Sequence, residues 1–242
     1  LRDAGARGIF ARMRRFAFIL VLLLVAAAPL RAQVPASGEL IVVSGGVSLY
    51  KWEKFKAAPH DLWWLNFIRA ARLRIAELRA LHGPDAPITW FVFAPSYRTR
   101  AGQEGKNLFP DIESVREAYG CKLVYFDRTQ QLIDYMNSRG AGRIANFEYF
   151  GHSNKACFMF DYSNEIDSAS KAWLHENELG KIRRGLFSRD ALVKSWGCHT
   201  GESMSKKWFV ATGSKMWGAI GKTQYQTERL PVISTVGGRW VR

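Results

Sequence analysis

The chain predicts an α/β protein whose mostly parallel, six-stranded sheet is sandwiched by helices. Six short apolar runs, at 40–46, 88–94, 122–126, 143–150, 191–196 and 216–220, have the length and composition of strands. Segments with helical spacing or helix-ending signals fall between most of them. The connections are long enough to carry the chain from one parallel strand over to the next.

Each element has a local reason. After a polar lead-in from Gln33 to Glu39, Leu40-Ile-Val-Val-Ser-Gly-Gly46 runs apolar into a glycine stop, as a buried strand entering a loop does. Asp61 is placed to cap a helix reaching His82. In that helix Trp64, Ile68, Ala71, Ile75 and Leu78 form one apolar stripe, with Arg74 and Glu77 off it. Gly83 and Pro84 end it. Ile88 to Ala94 is apolar on both faces and so predicts an interior strand.

The polar stretch from Ser96 to Asn107 predicts a loop. Asp111 to Tyr119 predicts a helix closed by Gly120, and Lys122 to Phe126 the third strand. Thr129 caps a helix through Leu132, Ile133 and Met136 that stops at Gly140. Arg143 to Phe150 is the fourth strand, with Cys157 to Asp161 as a short continuation. Turn residues from Ser163 lead to a helix over 171–181. Ala191 to Trp196 is the fifth strand, Ser203 to Ala211 a helix, and Met216 to Ile220 the sixth strand, before an irregular tail after Lys222. Trp63, Trp64, Trp90 and Phe91 read as core.

The first 32 residues read as an address. Arg12, Arg14 and Arg15 precede the apolar run from Phe16 to Ala28, and Ala26 to Ala32 offers small residues for a signal peptidase. With Met13 as the start of this signal peptide, residues 1–12 form an upstream extension, and 33–242 form one domain. The apolar run is shorter than the roughly 20 residues of a spanning helix, and no cysteine near the cleavage site offers a lipid anchor. The expected location is secreted or periplasmic, without a stable membrane anchor.

Setting aside the six Arg and one Asp of residues 1–32 leaves 29 basic and 20 acidic residues. That balance favours anionic surroundings, but no stripe of basic residues interleaved with aromatics argues for nucleic acid. Cys121, Cys157 and Cys198 are an odd number in an oxidising compartment, so at least one stays unpaired within the chain.

In open parallel sheets ligands gather beyond the carboxyl ends of the strands. His152 follows the fourth strand and Cys198 the fifth, so these two form the candidate catalytic pair. A thiolate is the attacking species, and a nearby imidazole or helix amino terminus lowers the thiol pKa. His199 is the rival base, yet successive residues of an extended chain point to opposite sides, which turns its ring away. Two other motifs fail on spacing. A hydrolase elbow needs glycines where Trp196 and Thr200 stand, and a phosphate loop ending in Gly221-Lys-Thr223 needs one at Met216. His152, Asp161, Cys198 and His199 are metal-ligand types without a zinc spacing, so no metal or cofactor is expected.

These residues resemble the caspase-like fold of cysteine peptidases, especially its bacterial CHAT branch. In that group one strand ends in a histidine usually followed by glycine, and a later one in a cysteine often written Ala-Cys-x-Thr-Gly. The corresponding stretches here are Phe150-Gly-His-Ser153 and Gly197-Cys-His-Thr-Gly201. Ser153 stands where the family has glycine, and Gly197 where it commonly has alanine. The resemblance implies that Cys198 attacks the carbonyl of a protein or peptide substrate, that His152 manages protons, and that the amides of Ser153 and Cys198 hold the oxyanion. Asp161 and Glu202 are the carboxylates that would favour a basic side chain before the cut, with solvated or capping roles as the alternative. The other expectation for the whole is a silent caspase-like module that binds a peptide or partner protein.

Overall fold

Apolar residues on both faces force β1 (Glu39–Ser44), β2 (Ile88–Phe93) and β4 (Ile144–Phe150) into the middle of a sheet. A computed structural model describes residues 38–47, 65–161, 172–226 and 228–242, within the compact unit Val34–Arg242. The expected signal peptide, the Asp61 cap, Trp63 and Trp64 lie outside the described residues.

The sheet continues with β3 (Lys122–Phe126), β8 (Phe187–Ser195), β9 (Met216–Ile220) and β12 (Arg239–Val241). Its order is β12-β9-β8-β4-β1-β2-β3. All six predicted strands take part and run parallel. The sheet has seven strands rather than six, because the tail expected to be irregular returns as β12, antiparallel to β9. Three residues are too short for a period-two pattern to stand out in a sequence, and the pairing with β9 supplies what local propensity does not.

Alternation along the strands sends side chains into two cores. Leu40, Val42, Trp90 and Val92 face Phe67, Ile68, Ala71, Ile75 and Leu78 of α1 (Asn66–His82). Ile41, Val43, Phe91 and Phe147 face the other way, towards Leu132, Ile133 and Met136 of α4 (Thr129–Asn137) and Trp208 of α5 (Met204–Thr212). Two further helices lie between β2 and β3: α2 (Ala94–Glu104) and α3 (Phe109–Tyr119).

Helix α2 replaces the loop expected over 96–107. Pro95 opens it, Gly105 closes it in the left-handed region (φ 63°), and only Ala94, Ser96, Tyr97 and Arg100 are buried. With so narrow an apolar contact, its polar composition outweighed the proline and glycine signals. The helix expected over 171–181 is also absent from the described part of that range. Trp173–His175 forms β7, which pairs with β6 (Cys157–Met159) and, through it, with β5 (His152–Ser153) in a small antiparallel sheet. A 3₁₀ helix over Glu176–Lys181 follows, capped where His175 Nδ1 accepts from the Asn177 amide at 3.1 Å.

Beneath the strand ends lies a buried charged group. Glu148 of β4 is fully buried, accepting from Arg74 Nε at 2.6 Å and from the Trp196 indole N–H at 2.8 Å. Its register partner Lys194 lays its ammonium over the rings of Trp196, 3.4 Å from the centroid, and Trp240, 4.1 Å away. Burial pushes the Lys194 amine down to about 8, against the pull of Glu148 and with a smaller push from Arg74. Below that pH the native state holds a charge it disfavours. Between about pH 8 and the ~10.4 of a lysine in the unfolded chain, the unfolded state binds more protons, so this residue's contribution to stability rises with pH. Lys194→Met is expected to melt above wild type near pH 7, with the gap in Tm closing as pH is raised through this window. A gap independent of pH would refute the depressed amine.

Candidate functional site

The parallel pairing of β4 with β8 sets the two candidate residues side by side. Tyr149 lies opposite Ser195, and the Trp196 amide donates to the Tyr149 carbonyl at 2.8 Å. The two strands therefore release their chains at the same level, one into Gly151-His152-Ser153 and the other into Gly197-Cys198.

These turns touch. The Ser153 hydroxyl donates to the Cys198 carbonyl at 2.7 Å. A Cβ added at Gly197 would come within 2.1 Å of that same hydroxyl and 2.9 Å of the Gly151 carbonyl oxygen. The two positions that depart from the resembled pattern are therefore packed against one another. The Ser153 side chain fills the space that a side chain at 197 would need. Gly151 is equally tight, since a Cβ there would meet the Tyr149 hydroxyl at 2.3 Å.

That hydroxyl holds the histidine turn from below. It donates to the carbonyls of His152 at 2.7 Å and Met159 at 3.2 Å, and burial raises the Tyr149 pKa well above the ordinary range. The His152 ring is half-buried and packs edge-on against Phe67, with centroids 5.0 Å apart. Phe67 in turn meets Tyr225 at 4.8 Å, and the Tyr225 hydroxyl accepts from the Gly151 amide at 3.0 Å.

Cys198 is half-buried at the start of the turn leading to α5. The Thr223 amide donates to its sulfur at 3.4 Å, and the Thr223 hydroxyl lies 3.6 Å from the same atom while donating to the Trp196 carbonyl at 2.9 Å. Thr223 opens the two-residue strand β10 (Thr223–Gln224), so one short segment reaches both turns: Thr223 to the sulfur and Tyr225 to the amide before His152. Neither residue was singled out as part of the site from sequence. Thr223 figured only in the rejected phosphate loop, and nothing local marks Tyr225.

His199 has φ 64°, the only positive φ of a non-glycine residue among the described residues. Its Nδ1 meets Glu202 Oε1 at 2.6 Å, and its amide donates to the Gly221 carbonyl at 2.8 Å. Glu202 Oε1 also accepts from the Gly221 amide at 3.1 Å. The His199 hydrogen bond, with help from that amide, holds the Glu202 carboxyl below its usual range. Glu202 thus braces the cysteine turn. Asp161 is buried at the end of the segment following β6, its amide bonded to the Ala172 carbonyl at 3.0 Å.

Cys121 and Cys157 form no disulfide. Burial raises the Cys121 pKa, and burial together with Glu176 and Glu178 pushes that of Cys157 up to about 11. Among the described residues no group of three or more His, Cys, Asp or Glu side chains is arranged to hold a metal, and no helix is long and apolar enough to cross a membrane.

The sheet order reverses between β1 and β4, the switch point at which open α/β sheets bind ligands. The turn after β1 is not a vacant phosphate cradle, because the Gly45 amide donates to the Phe150 carbonyl at 2.8 Å and the Gly46 amide to the Phe160 carbonyl at 2.7 Å. Fold and site together define an α/β protein with a thiol turn and an imidazole turn at the carboxyl ends of adjacent parallel strands. No family model, curated protein or solved structure matches the chain.

The contact between the turns is testable by a double-mutant cycle. Gly197→Ala alone is expected to cost about 1–3 kcal/mol through overpacking. Adding Ser153→Gly removes the closest clash, so the pair should be coupled by roughly 0.5–3 kcal/mol in urea denaturation. Strict additivity would mean that the turns are not in contact.

Proposed function

We propose that this protein is a cysteine peptidase of the caspase-like kind, exported after removal of a signal peptide, with Cys198 as nucleophile and His152 as general acid and base. The observation that carries this is the sealed pair of turns, in which the Ser153 hydroxyl bonds the Cys198 carbonyl at 2.7 Å at the ends of neighbouring strands. Ser153 and Gly197 depart from the family pattern in a mutually compensating way: the side chain missing from one turn is present on the other, within the same space.

In this mechanism the Cys198 thiol passes its proton to His152 and the thiolate attacks the scissile carbonyl carbon. The Thr223 amide, 3.4 Å from the sulfur, favours the charged form. Negative charge on the carbonyl oxygen is met by the amides of Cys198 and Ser153. The amides flanking Cys198 are already committed, Gly197 to Ser195 Oγ at 3.3 Å and His199 to the Gly221 carbonyl at 2.8 Å. The imidazolium then protonates the leaving amine. Water, deprotonated by His152, hydrolyses the thioester and restores the thiol. Tyr149 acts as a positioning residue through the His152 carbonyl. Glu202 Oε1 is engaged by His199 and Gly221, which makes it a brace of the cysteine turn rather than a carboxylate for a basic residue before the cut.

Labelling with a peptidyl acyloxymethyl ketone tests the nucleophile. Near pH 8 a thiol with a pKa of about 11 is thiolate in only roughly one molecule in a thousand, so Cys157 should react slowly and Cys198 should take the label. Cys198→Ala and His152→Ala are each expected to lower turnover of a peptide library by at least about a thousandfold. Labelling confined to Cys121 or Cys157 would refute the assignment. Peptide binding without turnover in the wild-type chain would identify a silent recognition module instead.

A further inference from the structure

Away from these turns, the outer face of α5 carries a second kind of chemistry. Phe209 and Val210 are 44 % and 65 % exposed, on a helix whose opposite side buries Trp208 and Met204. Two clefts, of about 540 Å³ and 250 Å³, flank Phe209, which lines both. Arg184, Arg189, Lys215 and Arg242 line the larger, while Lys206, Lys215 and Arg242 line the smaller. No acidic side chain lines either cleft. Among the described residues none of these five cations is held in an ion pair.

Unneutralised charge of one sign around an apolar anchor is the arrangement that a partner of opposite charge completes. We infer that this face is a docking groove for an extended acidic peptide segment. Two features favour a peptide over an anionic bilayer. The apolar anchor stands between two concavities, which accept inserted side chains but which a bilayer surface would leave unfilled. The smaller cleft is bordered by Val241 of β12, the outermost described strand of the sheet, whose outer edge offers backbone groups to an added strand. Arg184 is pre-set for the task, because it already donates to the Val210 carbonyl at 2.8 Å, near the carboxyl end of α5.

The groove shares Gly201 with the cysteine stretch but contains neither Cys198 nor His152, so its occupancy can be read apart from catalysis. The test uses the full chain carrying Cys198→Ala, so that binding is read without turnover. A fluorescein-labelled peptide alternating Asp or Glu with Leu is titrated by anisotropy, beside its Asn/Gln counterpart. The acidic peptide should bind saturably, more weakly as salt is raised, and at least about tenfold more tightly than the neutral one. Reversing Arg184→Glu with Lys215→Glu should weaken it by a similar factor at unchanged circular dichroism, and a Lys-rich peptide should then bind the reversed chain in its place. Phe209→Ser should weaken binding even at high salt. Equal binding of the two peptides, or indifference to the charge reversal, would overturn the inference. Capture on phosphatidylglycerol vesicles without peptide binding would overturn it in favour of a lipid-facing surface.

Discussion

The close approach of two turns at the carboxyl edge of the sheet is the constraint on which the site depends. Parallel pairing of β4 and β8 brings Gly151 and Gly197 to the same level, and only residues without a Cβ fit there beside the Tyr149 hydroxyl and the Ser153 side chain. Ser153 then fastens one turn to the other through the Cys198 carbonyl. The position of the thiol turn relative to the imidazole turn is thus a property of strand register. A slip of one residue would turn every side chain of β8 to the opposite face and dismantle both cores together.

The floor of this arrangement is charged as well as apolar. Trp196, immediately before Gly197, gives its indole N–H to the buried Glu148, stacks on Phe150 at 5.7 Å and lies under the Lys194 ammonium. A buried carboxylate is tolerable because Arg74 and Trp196 satisfy it. The arrangement links α1, β4, β8 and β12 and holds rigid the strand that presents the cysteine. Rigidity below and exposed loops above is the usual division of labour in α/β sites.

Six parallel strands were legible in the sequence because each is buried on one or both faces and so is written in apolar residues. The elements that escaped are those whose existence rests on a few contacts. Helix α2 buries only Ala94, Ser96, Tyr97 and Arg100, too little to mark a stripe. β7 exists through pairing with β6, and β12 through pairing with β9. The same holds for the site. Cys198 and His152 stand out as reactive residue types at strand ends, whereas Thr223, Tyr225 and Phe67 reach them from segments distant along the chain.

By itself, the amino-acid sequence determined the α/β class, the six parallel strands, and the two strand-end turns that carry His152 and Cys198, since composition and periodicity are local properties of the chain. Only the tertiary structure decided that Ser153 packs against Gly197, that Glu202 and His199 brace the turn, and that cations outside the ion pairs of the described residues gather around Phe209. Those outcomes depend on which atoms share a volume. Packing settles that between residues tens of positions apart, where no spacing rule reaches.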